Sequence, residues 1–160
     1  MLDEIYAIII YLKPSQGNSM STPSFTMPAG RYFVGDLCYV MHPQWDEFCT
    51  KSLANEGLVV LDNGVRTAQF GTMYGDGCYQ DESGNAYGVD SGLIGCILVQ
   101  DISDDTAYME GGNIIDFPKD FECSDDDDGV MHFGHIKINT GDDEPDENDD
   151  PEDEDDQPLT

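Results

Sequence analysis

The stretch GLVVLDNGVRTAQFG, residues 57–71, decides how the fold is read. Two runs of β-branched and apolar residues flank Asp62, Asn63 and Gly64. Asn-Gly readily adopts the positive φ angles of a tight hairpin turn, so the spacing predicts two antiparallel strands. The pattern recurs outward along the chain. Residues 78–89 read as a second hairpin, turning at 81–85 between Tyr79 and Tyr87. A third joins residues 120–124 to one strand at 130–139 across the acidic turn 125–129. Upstream, RYFVGDLCYVM (31–41) reads as a strand with Gly35-Asp36 as a bulge. LIGCILVQ (93–100) is nearly all apolar and predicts a central strand buried on both faces, followed by a polar loop at 101–105.

Only residues 43–55 change period. Pro43 sits in a first turn, Asp46 and Glu47 lie near the positive end, and Trp45, Phe48, Cys49 and Leu53 share one helical face, with Gly57 as the stop. The expected fold is mostly β (α+β): an antiparallel meander forming a small barrel or sandwich with one helix as a plug. Residues 1–28 read as an N-terminal extension and linker, 29–140 as the β-rich domain, and 141–160 as a disordered acidic tail. Met20 is an alternative start to Met1.

The 160 residues carry 34 acids against 6 bases, a net charge of −28. Residues 142–156 hold twelve carboxylates, two prolines and one asparagine. Such a run buries too little apolar surface to offset the entropy of ordering it, so a solvated tail is expected. Without those twelve acids, 22 acidic and 6 basic residues remain, a net of −16. Lys13, Arg31, Lys51, Arg66, Lys119 and Lys137 are scattered singly and offer no groove for phosphate. Nucleic-acid backbone and anionic membrane repel such a chain, whereas basic proteins and metal cations are attracted.

Five cysteines, Cys38, Cys49, Cys78, Cys96 and Cys123, show no Cys-x-x-Cys spacing. They are expected to be reduced, buried and intracellular, in a protein that is not secreted. The apolar run 5–12 is too short to cross a membrane, and its Leu-Asp-Glu start lacks the basic residues of a secretory leader.

Residues 71–95, GTMYGDGCYQDESGNAYGVDSGLIG, hold seven glycines. Glycine is favoured where the chain needs positive φ or close backbone approach. Asp76 lies between two glycines, Asp90 precedes Ser91-Gly92, and Asp36 has a similar Gly-Asp setting. With Ser91, Tyr74 and Tyr79 they form the candidate ligand-binding set. Three chemistries fit. The aspartates are turn formers that accept from backbone N–H groups two residues on. Alternatively, carboxylates and turn carbonyls hold a divalent cation, calcium or magnesium by donor type, although the twelve-residue calcium loop is not matched. The third is hydrolysis, by paired carboxylates or by Cys38 or Cys78 with His132 or His135 as base. No catalytic residue and no cofactor beyond a divalent cation is assigned. Tyr32, Tyr39, Trp45 and Tyr87 join Tyr74 and Tyr79 as candidates to line a pocket. Arg31 and Arg66 are the only arginines available to a phosphate. His132 and His135 lack the neighbouring cysteines of a local zinc site.

GRYFVGDLCYVM (30–41), WDEFC (45–49), YGDGCYQDESGNAYGVDSGLIGCI (74–97) and GVMHFGHIKI (129–138) resemble a group of small proteins from phages and large DNA viruses. Those proteins share Gly-Asp-x-Cys-Tyr and Tyr-Gly-Val-Asp-Ser-Gly motifs. The resemblance spans residues 31–139, carries no established activity, and implies the cytoplasm of a host cell. The resulting expectation is a viral or phage accessory protein acting by non-enzymatic binding. Its anionic surface would meet a basic host or viral protein, as a nucleic-acid mimic or host-factor antagonist. A small-molecule or divalent-metal-binding β-barrel and a hydrolase using the Gly-Asp block are the alternatives.

Overall fold

The turn at Asp62-Asn63-Gly64 is closed by two backbone bonds, Leu61 N–H to the Val65 carbonyl at 2.8 Å and Gly64 N–H to the Leu61 carbonyl at 2.9 Å. This is a three-residue loop in which only Gly64 is left-handed, at φ 90°, so Asn63 does not share the positive φ expected of a two-residue Asn-Gly turn. A three-residue loop of this kind ends in a glycine at the left-handed position, which opens the flanking strands by one residue. The same bonding recurs at residues 81–85 and 126–130, with Gly84 at φ 87° and Gly129 at φ 85°. The three loops read Asp-Asn-Gly, Glu-Ser-Gly and Asp-Asp-Gly.

The computed structural model describes residues 24–54 and 57–141. The first 23 residues, including Met20, and the acidic run from residue 142 lie outside them, as do the readings made of both. The strands are β1 (Ser24–Met27), β2 (Gly30–Gly35), β3 (Leu58–Val60), β4 (Arg66–Gly71), β5 (Gly77–Gln80) and β6 (Ala86–Val89). They continue with β7 (Leu93–Leu98), β8 (Asn113–Phe117), β9 (Phe121–Asp125), β10 (Val130–Phe133) and β11 (Ile136–Asn139). Helix α1 spans Trp45–Ala54. All pairings of these strands are antiparallel, in sheets ordered β3-β4-β7-β2-β8, β1-β9-β10-β11 and β5-β6.

Period-two alternation sorts the side chains into two cores. Tyr32 and Val34 of β2, Ile94 and Cys96 of β7, and Ala68 and Phe70 of β4 face Met27, Cys123, Met131, Phe133, Ile136 and Ile138 of the four-stranded sheet. Phe33, Ile97 and Val59 point the other way, toward Phe48 of α1 and toward Leu37, Val40 and Met41. The mostly β architecture with one helix is thus a sandwich. The helix covers its outer face instead of plugging an interior. Lys51 ties it down, reaching Glu47 at 3.1 Å, Asp62 at 2.7 Å and the Val60 carbonyl at 3.1 Å.

Four local expectations change. Gly35-Asp36 is no bulge: β2 stops at Gly35, and Leu37–Tyr39 form a 3-10 turn with Asp36 as its cap. The helix begins at Trp45, because His42–Gln44 make a separate 3-10 turn. The single strand at 130–139 is a hairpin, turning at Gly134 (φ 59°) and His135. That turn explains why neither face of the run looked polar. Met131 and Phe133 are buried on one arm, and Ile136 and Ile138 on the other. Finally, β1 lies in the stretch read as linker, where Phe25 and Thr26 pair with Cys123 and Glu122. Strand β7 is central and buried on both faces, as its composition indicated.

Candidate functional site

Asp36 is fully buried. The end of β2 delivers it beneath the bend that follows β6. Its Oδ1 accepts from the Cys38 N–H at 2.9 Å and the Ser91 hydroxyl at 2.6 Å. Its Oδ2 accepts from the Asp90 N–H at 2.8 Å and the Ser91 N–H at 2.6 Å. A carboxylate has about four acceptor sites, and these four donors occupy them. One turn further, the Tyr39 hydroxyl donates to Asp90 Oδ2 at 2.7 Å. The Gly-Asp-x-Cys-Tyr and Val-Asp-Ser-Gly segments therefore meet and bind each other. Asp36 acts as their joint, and its oxygens face no open ligand space.

The joint also determines the chemistry of its neighbours. Burial first, and then the Asp36 carboxylate, push the Cys38 thiol up to about 12. A thiol held there is protonated at neutral pH and is a poor nucleophile. Burial and the bond to Asp90 likewise raise the Tyr39 hydroxyl. Ser91 is exposed, but its hydroxyl proton is committed to Asp36.

The remaining candidates lie next door. Thr72 binds the Gly92 carbonyl through its N–H at 2.9 Å, and its hydroxyl donates to the Gly75 carbonyl at 2.7 Å. This sets the bend carrying Tyr74 and Asp76 beside the Asp90 bend. Asp76 and Tyr74 are exposed, whereas Tyr79 is buried and donates to the Gly75 carbonyl at 2.9 Å. Tyr79 therefore supports the loop from beneath. Tyr32 and Tyr87 are core residues, and Trp45 stacks on Phe48 with ring centroids 5.0 Å apart. The tyrosines and Trp45 do not line a common pocket.

The base expected for a thiol nucleophile is not brought to one. His132 sits on β10 opposite Ser124 and Lys137, and His135 lies in the β10–β11 turn against the Phe117 ring. Among the described residues no hydrogen bond joins either histidine to Cys38 or Cys78. Among the same residues no group of three or more His, Cys, Asp or Glu side chains is placed to hold a metal ion.

A histidine not singled out in the sequence has the more elaborate setting. Asp104, buried, lies 2.6 Å from His42 Nδ1 and accepts from the His42 N–H at 2.9 Å. Its other oxygen takes the Thr106 hydroxyl at 2.7 Å and the Thr106 N–H at 2.9 Å. Burial opposes ionisation of Asp104, but these bonds outweigh it and bring the carboxyl down to about 2. The His42 ring itself is half exposed. Asp81 is a third anchored carboxylate. Burial again opposes ionisation, yet bonds from Asn85, Tyr87 and Ser83 hold it below the ordinary range. The sequence signal for these two anchors was Asp followed two residues on by a small polar donor, Asp104-x-Thr106 and Asp81-x-Ser83.

Two aspartate-bearing loops are joined through Thr140. Thr140 Oγ1 accepts from the Met73 N–H at 3.1 Å, and its own hydroxyl donates to the Gly129 carbonyl at 2.6 Å. The loop bearing Asp76, the turn bearing Asp126, Asp127 and Asp128, and residues 140–141 are thereby fastened together. Asp76 and the three turn aspartates are exposed. Residue 141 leads in sequence into the twelve-carboxylate run. Elsewhere the bases are largely engaged: Arg31 with Asp116 at 2.8 Å, Lys137 with Glu82 at 3.4 Å, and Lys51 as above.

Comparison with protein-family models, curated proteins and solved structures gave no match. Among the described residues, no helix is long and apolar enough to cross a membrane.

Proposed function

We propose that this chain is a non-enzymatic binding protein whose anionic end captures a basic surface on another protein. An accessory protein of a phage or large DNA virus, in a host cytoplasm, suits that role. The observation that carries the reading is the fastening of the Asp76 loop, the Asp126–Asp128 turn and Thr140 into one acidic end. A preorganised cluster raises local potential and steers an oppositely charged partner, with an on-rate that falls as salt rises. A further support is that Asp36, Ser91 and Cys38, the groups best placed for chemistry in the Gly-Asp block, are consumed by internal bonds or protonated. The fixed end contributes shape, and the acidic run beyond residue 141 contributes long-range attraction.

A lysine-rich peptide serves as the probe. Its affinity should fall steeply between low and physiological salt. Asp127→Asn with Asp128→Asn should weaken it by roughly two- to tenfold, the range for a pair of exposed charges. Asp126 is kept, because its carboxylate accepts from the Asp128 and Val130 N–H groups. Salt-independent capture would sink the proposal.

A hydrolytic reading has one observation in its favour, the orientation of His42 by buried Asp104. A bond from Nδ1–H to Asp104 leaves Nε2 as an acceptor, the arrangement of a general base. The Thr106 hydroxyl lies 3.1 Å from Nδ1 but donates to Asp104, and among the described residues no hydroxyl or thiol is hydrogen-bonded to Nε2. Turnover of an activated ester that His42→Gln leaves unchanged would remove this second reading.

A further inference from the structure

The geometry points to Cys96 and Cys123 as a latent disulfide that stitches the two sheets of the sandwich together. Cys96 lies on β7, the middle strand of the five-stranded sheet, and Cys123 on β9 of the four-stranded sheet. Their sulfurs are 3.8 Å apart across the core, and both residues are fully buried. A disulfide closes sulfurs to about 2.05 Å with Cα atoms within about 7 Å of each other, so from 3.8 Å each sulfur moves by roughly 1 Å as the two strands hold or reach that spacing. The other three cysteines differ: Cys38 and Cys49 are half-buried and Cys78 is exposed.

Position on central strands matters. Cys96 is flanked in register by Val34 and Ala68, and Cys123 by Phe25 and Phe133. Both thiols therefore sit in apolar surroundings. Burial, followed by the neighbouring Cys123 sulfur, raises the Cys96 thiol well above its ordinary value. Little Cys96 thiolate exists in the closed fold, so attack by that sulfur is slow there and faster while the sheets dock or breathe.

With hydrogen peroxide as oxidant, one thiolate attacks a peroxide oxygen to give a sulfenic acid and hydroxide. The second thiolate then displaces hydroxide from that sulfur. Overall, two thiols and one peroxide give one disulfide and two waters, and the two electrons leave the sulfurs for the peroxide oxygens. The new bond closes a loop between positions 27 apart in sequence. It constrains the unfolded chain.

The test uses the full chain carrying Cys78→Ser, which removes the exposed thiol. The protein is treated with hydrogen peroxide while folded and, separately, refolded from urea with a glutathione redox pair. Non-reducing peptide mapping should recover a Cys96–Cys123 cross-link. The thermal midpoint should rise by about 5 to 10 °C and return on reduction, the scale for one medium-length loop in a domain of this size. A cross-link between other cysteines in preference to this pair would overturn the inference. So would free or over-oxidised Cys96 and Cys123 under both regimes, or a cross-linked form that melts lower than the reduced one.

Discussion

Replacing Asp36 by asparagine keeps the shape of the side chain and removes its charge, which separates a joint from a reactive group. The least costly amide orientation puts the NH2 at the Oδ1 position, where it donates to Ser91 Oγ but faces the Cys38 N–H donor. The reverse orientation sets the NH2 against two backbone donors, at Asp90 and Ser91. Either way at least one buried N–H loses its acceptor and the remaining bonds lose charge assistance. A buried unsatisfied donor costs about 1–3 kcal/mol, and with the weaker bonds the total is roughly 2–4 kcal/mol. For a domain of this size that corresponds to a melting temperature lower by roughly 10 °C. Trp45, the only tryptophan, stacks on Phe48 in the second core and reports unfolding by fluorescence in urea. An Asp36→Asn midpoint equal to or above wild type would show that Asp36 is not a structural joint. Neutralising a strained active-site carboxylate commonly leaves a protein as stable or more so.

Other outcomes follow from the same structure. Asp104 and Asp81 have carboxyls lowered by folding, so their stabilisation is present above the unfolded carboxylate range and lost as pH falls through the folded values. The urea midpoint should therefore drop between about pH 4 and pH 2, and Asp104→Asn should flatten that decline in a pH series. Gly95→Ala would place a methyl 2.6 Å from the Ala68 carbonyl oxygen and 2.8 Å from Leu37 Cδ1, costing about 1–3 kcal/mol by chemical denaturation. Gly64→Ala meets no atom within 4 Å, so its cost of about 1–2 kcal/mol is backbone strain alone. Gln69 is buried with an Nε2 that meets no acceptor, while its Oε1 takes the Thr67 hydroxyl at 2.8 Å. Thr67→Val with Gln69→Met should be at least as stable as wild type, whereas Gln69→Met alone strands the Thr67 hydroxyl and should be less stable than the pair.

What was legible in the sequence was local. Asp-Asn-Gly, Glu-Ser-Gly and Asp-Asp-Gly announce their loops, because the required φ is met by one glycine and the acceptors lie within a few residues. The all-apolar β7 declared its central place by composition. By contrast, β1 pairs Ser24 with Ser124, and nothing in Ser-Phe-Thr-Met names a partner so distant. Strand β8 was also hidden, since Asn113 and Asp116 dilute its two isoleucines and its place beside β2 is set by packing. The Gly-Asp block was recognisable as unusual, but its purpose rested on a contact 55 residues long between Asp36 and Ser91. His42 and Asp104 are 62 apart, and no spacing rule joins them.

Recognition at the Asp76 loop, the Asp126–Asp128 turn and Thr140 leaves a residue-level trace in solution. Titrating the isotope-labelled full chain with a lysine-rich peptide at low salt and following backbone amide shifts tests it most directly. Perturbations are expected at residues 73–77, 126–129 and 140–141 and should fade as salt is added. Shifts centred instead on His42, Asp104 and Thr106, or saturable shifts indifferent to salt, would contradict it.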